Sequence, residues 1–303
     1  MKMRRNLKIL QDIRRKRIYK LMKMYNHDIN YGKMVLAELL KKPLIKQRTP
    51  EWFKLREDRL TASDLGDAIK NPLSLAKKKL KKSTFISAGI PALKWGTMFE
   101  TIAIRIYSTM NKTNIHEFGL VINDNIEYFG ASPDGITDEG VMVEIKCPYS
   151  RKIIDGNIPE KYYYQIQGQL AVCKLNKCDY TECEFITYET KDEYLNEIKD
   201  LEKKGDNYLH GIIAEKREKN DYIYYYSSNN QTGSENLKEM NKYDSEGFHF
   251  NYWRLKSINI QAVFFDEEEW NSNIKDKIKI YTYIYLKEKE LQNPINMFIN
   301  EDE

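Results

Sequence analysis

Two carboxylates and an ammonium stand close together in the middle of this chain. Asp134 lies in Ser132-Pro133-Asp134-Gly135, and Glu144 and Lys146 lie in the alternating segment Val141-Met142-Val143-Glu144-Ile145-Lys146-Cys147. A strand sends successive side chains to opposite faces, so Glu144 and Lys146 share one face while Val141, Val143, Ile145 and Cys147 bury the other. If the preceding strand runs through Tyr128 to Ala131, the Pro-Asp-Gly turn and the loop Asp138-Glu139-Gly140 return the chain so that Asp134 lies beside Glu144. Two carboxylates about 4 Å apart repel by roughly 4 kcal/mol at an effective dielectric of about 20, so such a pair favours a divalent cation between them. The same residues also admit a plainer reading, a turn followed by a solvated polar strand face.

The elements that would hold these groups can be read from periodicity. Apolar spacing from Leu7 to Leu40, mixed with Arg and Lys, predicts one or two basic amphipathic helices, and Lys42-Pro43 and Thr49-Pro50 mark a hinge after them. A helix is expected over Glu51 to Arg56, and a shorter one follows Thr61-Ala62-Ser63-Asp64 to Ile69. Trp95 to Tyr107 reads as a helix with Glu100 near its start, and Pro159 to Cys173 as another. Strands are expected near Phe118 to Asn123, Glu127 to Ser132, Val141 to Cys147, Cys183 to Tyr188, Tyr222 to Tyr226 and Trp253 to Phe265. Tyr194 to Ala214 and Trp270 to Leu291 read as helices, and the Asn, Ser, Gly and Glu-rich segment 227–248 as a flexible polar insertion.

Composition narrows the classes. With 303 residues the chain can bury a full core, and 41% hydrophobic with 31% charged residues is globular rather than disordered. No run approaches the roughly 20 apolar residues of a spanning helix, and the basic N-terminus has no apolar core of a secretory signal behind it. An intracellular, non-secreted protein without a membrane partner is expected, in the cytoplasm or nucleus of a host cell if viral. Cys147, Cys173, Cys178 and Cys183 lack Cys-x-x-Cys or His spacing, so reduced thiols are expected and an iron–sulfur cluster is not. The net charge of +4 is uneven: residues 1–46 carry +11 and the rest −7. That arm and the run Lys77-Lys78-Lys79-Leu80-Lys81-Lys82 suit phosphate backbones, although such runs also serve as solvated helix faces.

Four patterns occur in order: Trp52-Phe53-Lys54-Leu55-Arg56 with Thr61-Ala62-Ser63; Trp95-Gly96 with Glu100; Ser132-Pro133-Asp134-Gly135 with Glu144-Ile145-Lys146-Cys147-Pro148; and Gln165-Ile166-Gln167. Together, over about Thr49 to Ile186, they closely resemble the lambda exonuclease and YqaJ-like viral recombinase family within the PD-(D/E)xK nuclease superfamily. The resemblance implies an α/β (α+β) restriction-endonuclease-like core, a central mixed sheet flanked by helices; charge and the hinge divide the chain into a basic helical extension over 1–46, where it departs from the family, and a nuclease domain over 47–303 with the polar insertion at about 227–248. It implies that Asp134, Glu144 and the carbonyl of Ile145 hold Mg²⁺ or Mn²⁺, with two ions expected. Lys146 would orient or deprotonate the attacking water, Glu100 would support a second metal or its water, and Gln165 would lie beside the centre. Arg56 and Ser63 match positions that hold a terminal 5′-phosphate.

What the resemblance implies for function is a metal-dependent exodeoxyribonuclease running 5′ to 3′ on linear double-stranded DNA in recombination or repair. Its DNA would carry a free, 5′-phosphorylated end, and a single-strand annealing protein and a homo-oligomer are further expected associations. Two other readings compete, a structure-specific endonuclease with the same metal site and a non-catalytic DNA-binding module. The Lys, Asn, Ile and Tyr-rich composition fits an AT-rich genome such as that of a large DNA virus.

Overall fold

The computed structural model describes residues 29–43, 45–81, 90–126, 128–204, 209–219, 221–228 and 231–292. Most of the basic arm, residues 1–28, lies outside them, as does Lys82 of the lysine run. In chain order the elements that matter here are α1 (Ile29–Leu40), α2 (Pro50–Glu57), β1 (Leu60–Thr61), α3 (Leu65–Lys70), α4 (Pro72–Leu80), α5 (Pro91–Asn111), β2 (Ile115–His116), β3 (Val121–Ile122), β4 (Phe129–Ala131), β5 (Gly135–Thr137) and β6 (Met142–Lys146). After them come α6 (Glu160–Cys173), β7 (Lys177–Tyr188), α7 (Lys191–Lys203), β8 (His210–Glu218), β9 (Asp221–Tyr226), α8 (Gly233–Met240), β10 (His249–Phe264) and α9 (Lys275–Gln292).

A seven-stranded mixed sheet runs in the order β2-β5-β6-β7-β10-β8-β9, and a smaller sheet runs β1-β4-β3. Among the described residues only β6 and β7 are parallel within the large sheet, with Glu144 opposite Tyr180 and Lys146 opposite Glu182. The strand β6 is buried on both faces, and this fixes the site. Val143, Ile145 and Cys147 pack against Met98, Phe99, Ile102, Ala103 and Ile106 of α5, the i, i+3, i+4 stripe of an amphipathic helix. On the other face Met142 joins the core formed with Ile166 and Leu170 of α6. The expected α/β architecture, a mixed sheet flanked by helices, is the one observed.

Helix α1 belongs to this core, because Val35, Leu36 and Leu39 pack into the same cluster as Leu65 and Ile136. Its approach depends on Gly140, whose φ is +74° and where an added Cβ would sit 2.2 Å from the carbonyl carbon of Gly32. Gly140→Ala is therefore expected to lower stability by about 3 kcal/mol, from left-handed strain plus backbone overlap, read as a fall in the thermal unfolding midpoint.

Several expectations need correction. The helix expected over Tyr194 to Ala214 ends at Lys203, and His210–Glu218 is a strand instead. The run Gly211-Ile212-Ile213-Ala214 is buried on both faces between β10 and β9, so its apolar residues carry no period that separates strand from helix. Strand β7 begins at Lys177 rather than Cys183, with buried Cys178 and Tyr180 alternating with half-buried Lys177 and Asp179 at its start. The strand expected over Phe118 to Asn123 is reduced to Val121–Ile122. Segment 227–248, read as a polar excursion, contains α8, which starts in a Thr232/Glu235 capping box. Finally, β4 is not the neighbour of β6, since it pairs with β1 and β3 in the small sheet. It is β5, read as part of a turn, that pairs with β6 through Gly135 opposite Val143.

Candidate active site

Asp134 immediately precedes β5, and the β5–β6 pairing carries it to Glu144. Its Oδ2 accepts the Ile145 backbone N–H at 2.7 Å, which orients the carboxylate from within the strand. Glu144 is fully buried, and each of its oxygens is met by α6: Gln165 Nε2 donates to Oε1 at 2.6 Å and Gln169 Nε2 to Oε2 at 2.7 Å. The two glutamines are one helical turn apart and therefore share a face. Lys146, on the same side of β6, donates its ammonium to Glu144 Oε1 and lies 5.1 Å from the Tyr162 ring centroid. Glu100 comes from α5, one position off the buried stripe.

Burial, reinforced by Glu144 and then Glu100, pushes the Asp134 carboxyl well above the usual carboxylate range. Burial also raises Glu100, against the opposing pull of Arg48 and Lys146. For Lys146 burial acts the other way, but Glu144 and Asp134 outweigh it and hold the ammonium above its ordinary pKa. Three carboxyl groups thus share one cavity with Lys146, Arg48 and Arg56. Among the described residues no three His, Cys, Asp or Glu side chains form a ready-made cage for an ion. The donors on hand are carboxylate, carboxamide and carbonyl oxygens, a hard set that fits Mg²⁺ or Mn²⁺ completed by water.

A second group opens into the same space. Arg56 on α2 donates to Thr61 Oγ1 and Ser63 Oγ, both at 3.4 Å, and its guanidinium sits 4.1 Å from the Trp52 ring centroid. Burial lowers its pKa, with Asp64 opposing. Trp52 Nε1 in turn donates to Ser132 Oγ at 3.1 Å, tying this pocket to the turn that carries Asp134. A cavity of about 170 Å³ is lined by Arg56, Ser63, Glu100, Asp134, Glu144, Lys146 and Gln165, so the structure brings together every side chain singled out from the sequence. Ile145, whose carbonyl was singled out, lies between Glu144 and Lys146, with its side chain in the core.

Three contributors escaped the sequence reading. Gln169 could have been found, because it lies four residues after Gln165 on a helix. Thr61 was named only as part of a motif, yet it links Arg56 to Ser63 Oγ at 3.0 Å and to Asp64 Oδ2 at 2.9 Å. Arg48, which donates to Thr97 Oγ1 at 2.7 Å and to Glu100 Oε2 at 3.1 Å, gave no local signal at all.

Comparison with known proteins agrees with the ordered motifs. A protein of Acanthamoeba polyphaga mimivirus, itself uncharacterized, is 25% identical over 302 residues, covering 82% of this chain and 54% of its own length. A protein of African swine fever virus is 30% identical over 169 residues, 42% of this chain and 46% of that protein. The chain spans about half the length of these curated relatives. Among solved structures, an alkaline exonuclease from Laribacter hongkongensis aligns at 19% identity and a TM-score of 0.49, over 82% of this chain and 97% of that one. A phage-related exonuclease from Haemophilus somnus aligns at 12% identity and 0.45, over 78% and 96%. The model of the YqaJ-like viral recombinase domain matches residues 51–184, the segment that holds Arg56, Ser63, Glu100, Asp134, Glu144, Lys146 and Gln165. Residues 51–184 of this chain are thus similar to the YqaJ-like viral recombinase domain.

Proposed function

We propose that this chain is a divalent-metal-dependent deoxyribonuclease that degrades linear double-stranded DNA from 5′-phosphorylated ends, 5′ to 3′, in recombination or repair. The observation that carries this reading is the shared cavity: the Arg56–Thr61–Ser63 anion pocket opens into the space faced by Asp134, Glu144 and Lys146. An end-reading pocket beside a hydrolytic centre suits a nuclease that removes terminal nucleotides. The match of residues 51–184 to the YqaJ-like viral recombinase domain points the same way.

In this reading Asp134, Glu144 and the Ile145 carbonyl hold the cation, and Glu100 supports a second ion or its water. A bound Mg²⁺ would polarise the phosphodiester and make a nucleophilic hydroxide accessible at neutral pH. The protein's own groups do the positioning. Gln165 and Gln169 fix both oxygens of Glu144, while the buried Gln169 Oε1 has no donor among the described residues and is free to accept from a water. Lys146 stays protonated and stabilises the charge that grows on the phosphoryl oxygens, while its ammonium orients the attacking water. Arg56 grips the terminal 5′-phosphate through its planar fork, and the Ser63 hydroxyl completes the pocket. The basic segment 1–46 and the nuclease region 47–303 would then act together, the first adding backbone contacts that carry no base information. An annealing protein acting on the 3′ tails and a ring-like homo-oligomer remain expectations from the family resemblance.

Incubation with Mg²⁺ and 5′-labelled linear duplex tests the reading. Loss of label dependent on the metal and on a free end is expected. Equal cleavage of a covalently closed circle would indicate the endonuclease instead, and no cleavage of either would leave only a DNA-binding module.

A further inference from the structure

The segment 45–48 crosses the cleft as a strap pinned from both sides. Gln47 Nε2 donates to the carbonyls of Phe118 (2.8 Å) and Pro133 (3.1 Å). Thr49 Oγ1 donates to the Lys46 carbonyl at 2.9 Å and caps α2 by accepting the Trp52 N–H at 3.3 Å. The strap lies so close to the next loop that a Cβ at Gly119 would stand 1.8 Å from the Ile45 carbonyl oxygen. Between these anchors Arg48 adopts φ +67°, a left-handed conformation uncommon for a residue that bears a side chain.

The constraint sets where the guanidinium goes. Arg48 and Gln47 line the 170 Å³ cavity and also a second one of about 390 Å³, which meets the first at Glu100 and Asp134. Lys46, Glu117 and Thr101 face the second cavity alone. Arg48 therefore lines both cavities, whereas Arg56 lines the first and not the second, and the Arg48 side chain is 41% exposed. Two of its donor contacts go to Thr97 and Glu100, and a guanidinium has five donors in all.

We infer that this second cavity is a subsite for the DNA strand beyond the cut, with Arg48 binding the phosphate immediately 3′ to the scissile one. The inference rests on the nuclease reading above and extends it. If the terminal phosphate sits at Arg56 and the scissile phosphate at Asp134 and Glu144, the second cavity, joined to the first at Glu100 and Asp134, offers the rest of the strand an outlet lined by Arg48 and Lys46. Arg48, held by Glu100 and Thr97, is placed to neutralise that phosphate. Arg48 here is a substrate-binding group that acts on the strand, and its bond to Glu100 joins it to the site.

The test uses the full chain with Mg²⁺ and two 5′-phosphorylated linear duplexes, one native and one carrying a single uncharged methylphosphonate at the linkage 3′ to the first scissile bond. The parent chain is expected to release the first nucleotide about 10- to 100-fold more slowly from the methylphosphonate duplex, the scale of one charge-assisted contact. Arg48→Gly, which relieves the backbone rather than straining it, should show the same loss on native DNA and no further loss on the modified duplex. Arg48→Lys, which keeps the charge but not the fork, should fall between them. Equal release of the first nucleotide from both duplexes by the parent chain, or an equal additional loss in Arg48→Gly on both, would overturn this inference and leave the nuclease reading standing. Absence of cleavage on either duplex would overturn the nuclease reading and this inference with it.

Discussion

Replacing Asp134 with Asn should abolish cleavage and at the same time make the metal-free protein more stable at pH 8. The two effects share a cause. Burial, then the neighbouring Glu144 and Glu100, push the Asp134 carboxyl well above its ordinary value. A carboxyl whose folded pKa exceeds its unfolded value of about 4 binds its proton more tightly in the fold. Below that pH both states are protonated and stability is unaffected. As pH rises through the window between about 4 and the raised folded value, the folded state is progressively destabilised by the charge it must accept. Asn keeps an oxygen acceptor for the Ile145 N–H and removes that charge. A rise of roughly 2 °C in the melting temperature corresponds to about 1 kcal/mol in a protein of this size. Melting curves without metal at pH 5 and pH 8 should show the gain only at the higher pH, alongside a loss of at least about 10³-fold in cleavage, several kcal/mol of transition-state stabilisation. A variant no more stable than the parent at pH 8 would mean that Asp134 bears no uncompensated charge.

Removing the Arg56 side chain should erase the distinction between end types. Its hydrogen bonds to Thr61 and Ser63 are long, 3.4 Å each, and its guanidinium is desolvated against Trp52, so an incoming phosphate would meet a charged fork with capacity to spare. Charge-assisted hydrogen bonds contribute about 1.5–3 kcal/mol. Arg56→Ala is accordingly expected to lower kcat/KM on 5′-phosphorylated duplex by about 10- to 100-fold, with 5′-hydroxyl ends little changed. Rates measured on the two end types separate this from a folding defect, which would depress both equally. An equal fall would remove Arg56 from end recognition.

The parts of this site that follow a local period were legible in the sequence. The alternation in 141–147 assigns Glu144 and Lys146 to one face of β6, and the apolar stripe of α5 places Glu100 at its margin. The parts set by tertiary pairing were not. Asp134 reaches Glu144 through β5, a three-residue strand too short to carry any period, whereas β4, which looks like the natural neighbour, is drawn into the small sheet by β1 and β3. The strand β8 was misread for a related reason, because burial on both faces removes the polar positions that would mark alternation. Arg48 lay furthest from view. Its position depends on a left-handed backbone angle fixed by contacts from Gln47 to residues 71 and 86 positions away.

The most direct measurement is an anomalous difference map from a crystal of this chain soaked in Mn²⁺. A peak within ordinary oxygen-ligand distance, roughly 2–2.5 Å, of carboxylate oxygens from both Asp134 and Glu144 is the expected result. A fully soaked crystal with no density between those two side chains, or with its strong peaks elsewhere on the molecule, would contradict the assignment of this cluster as the metal centre.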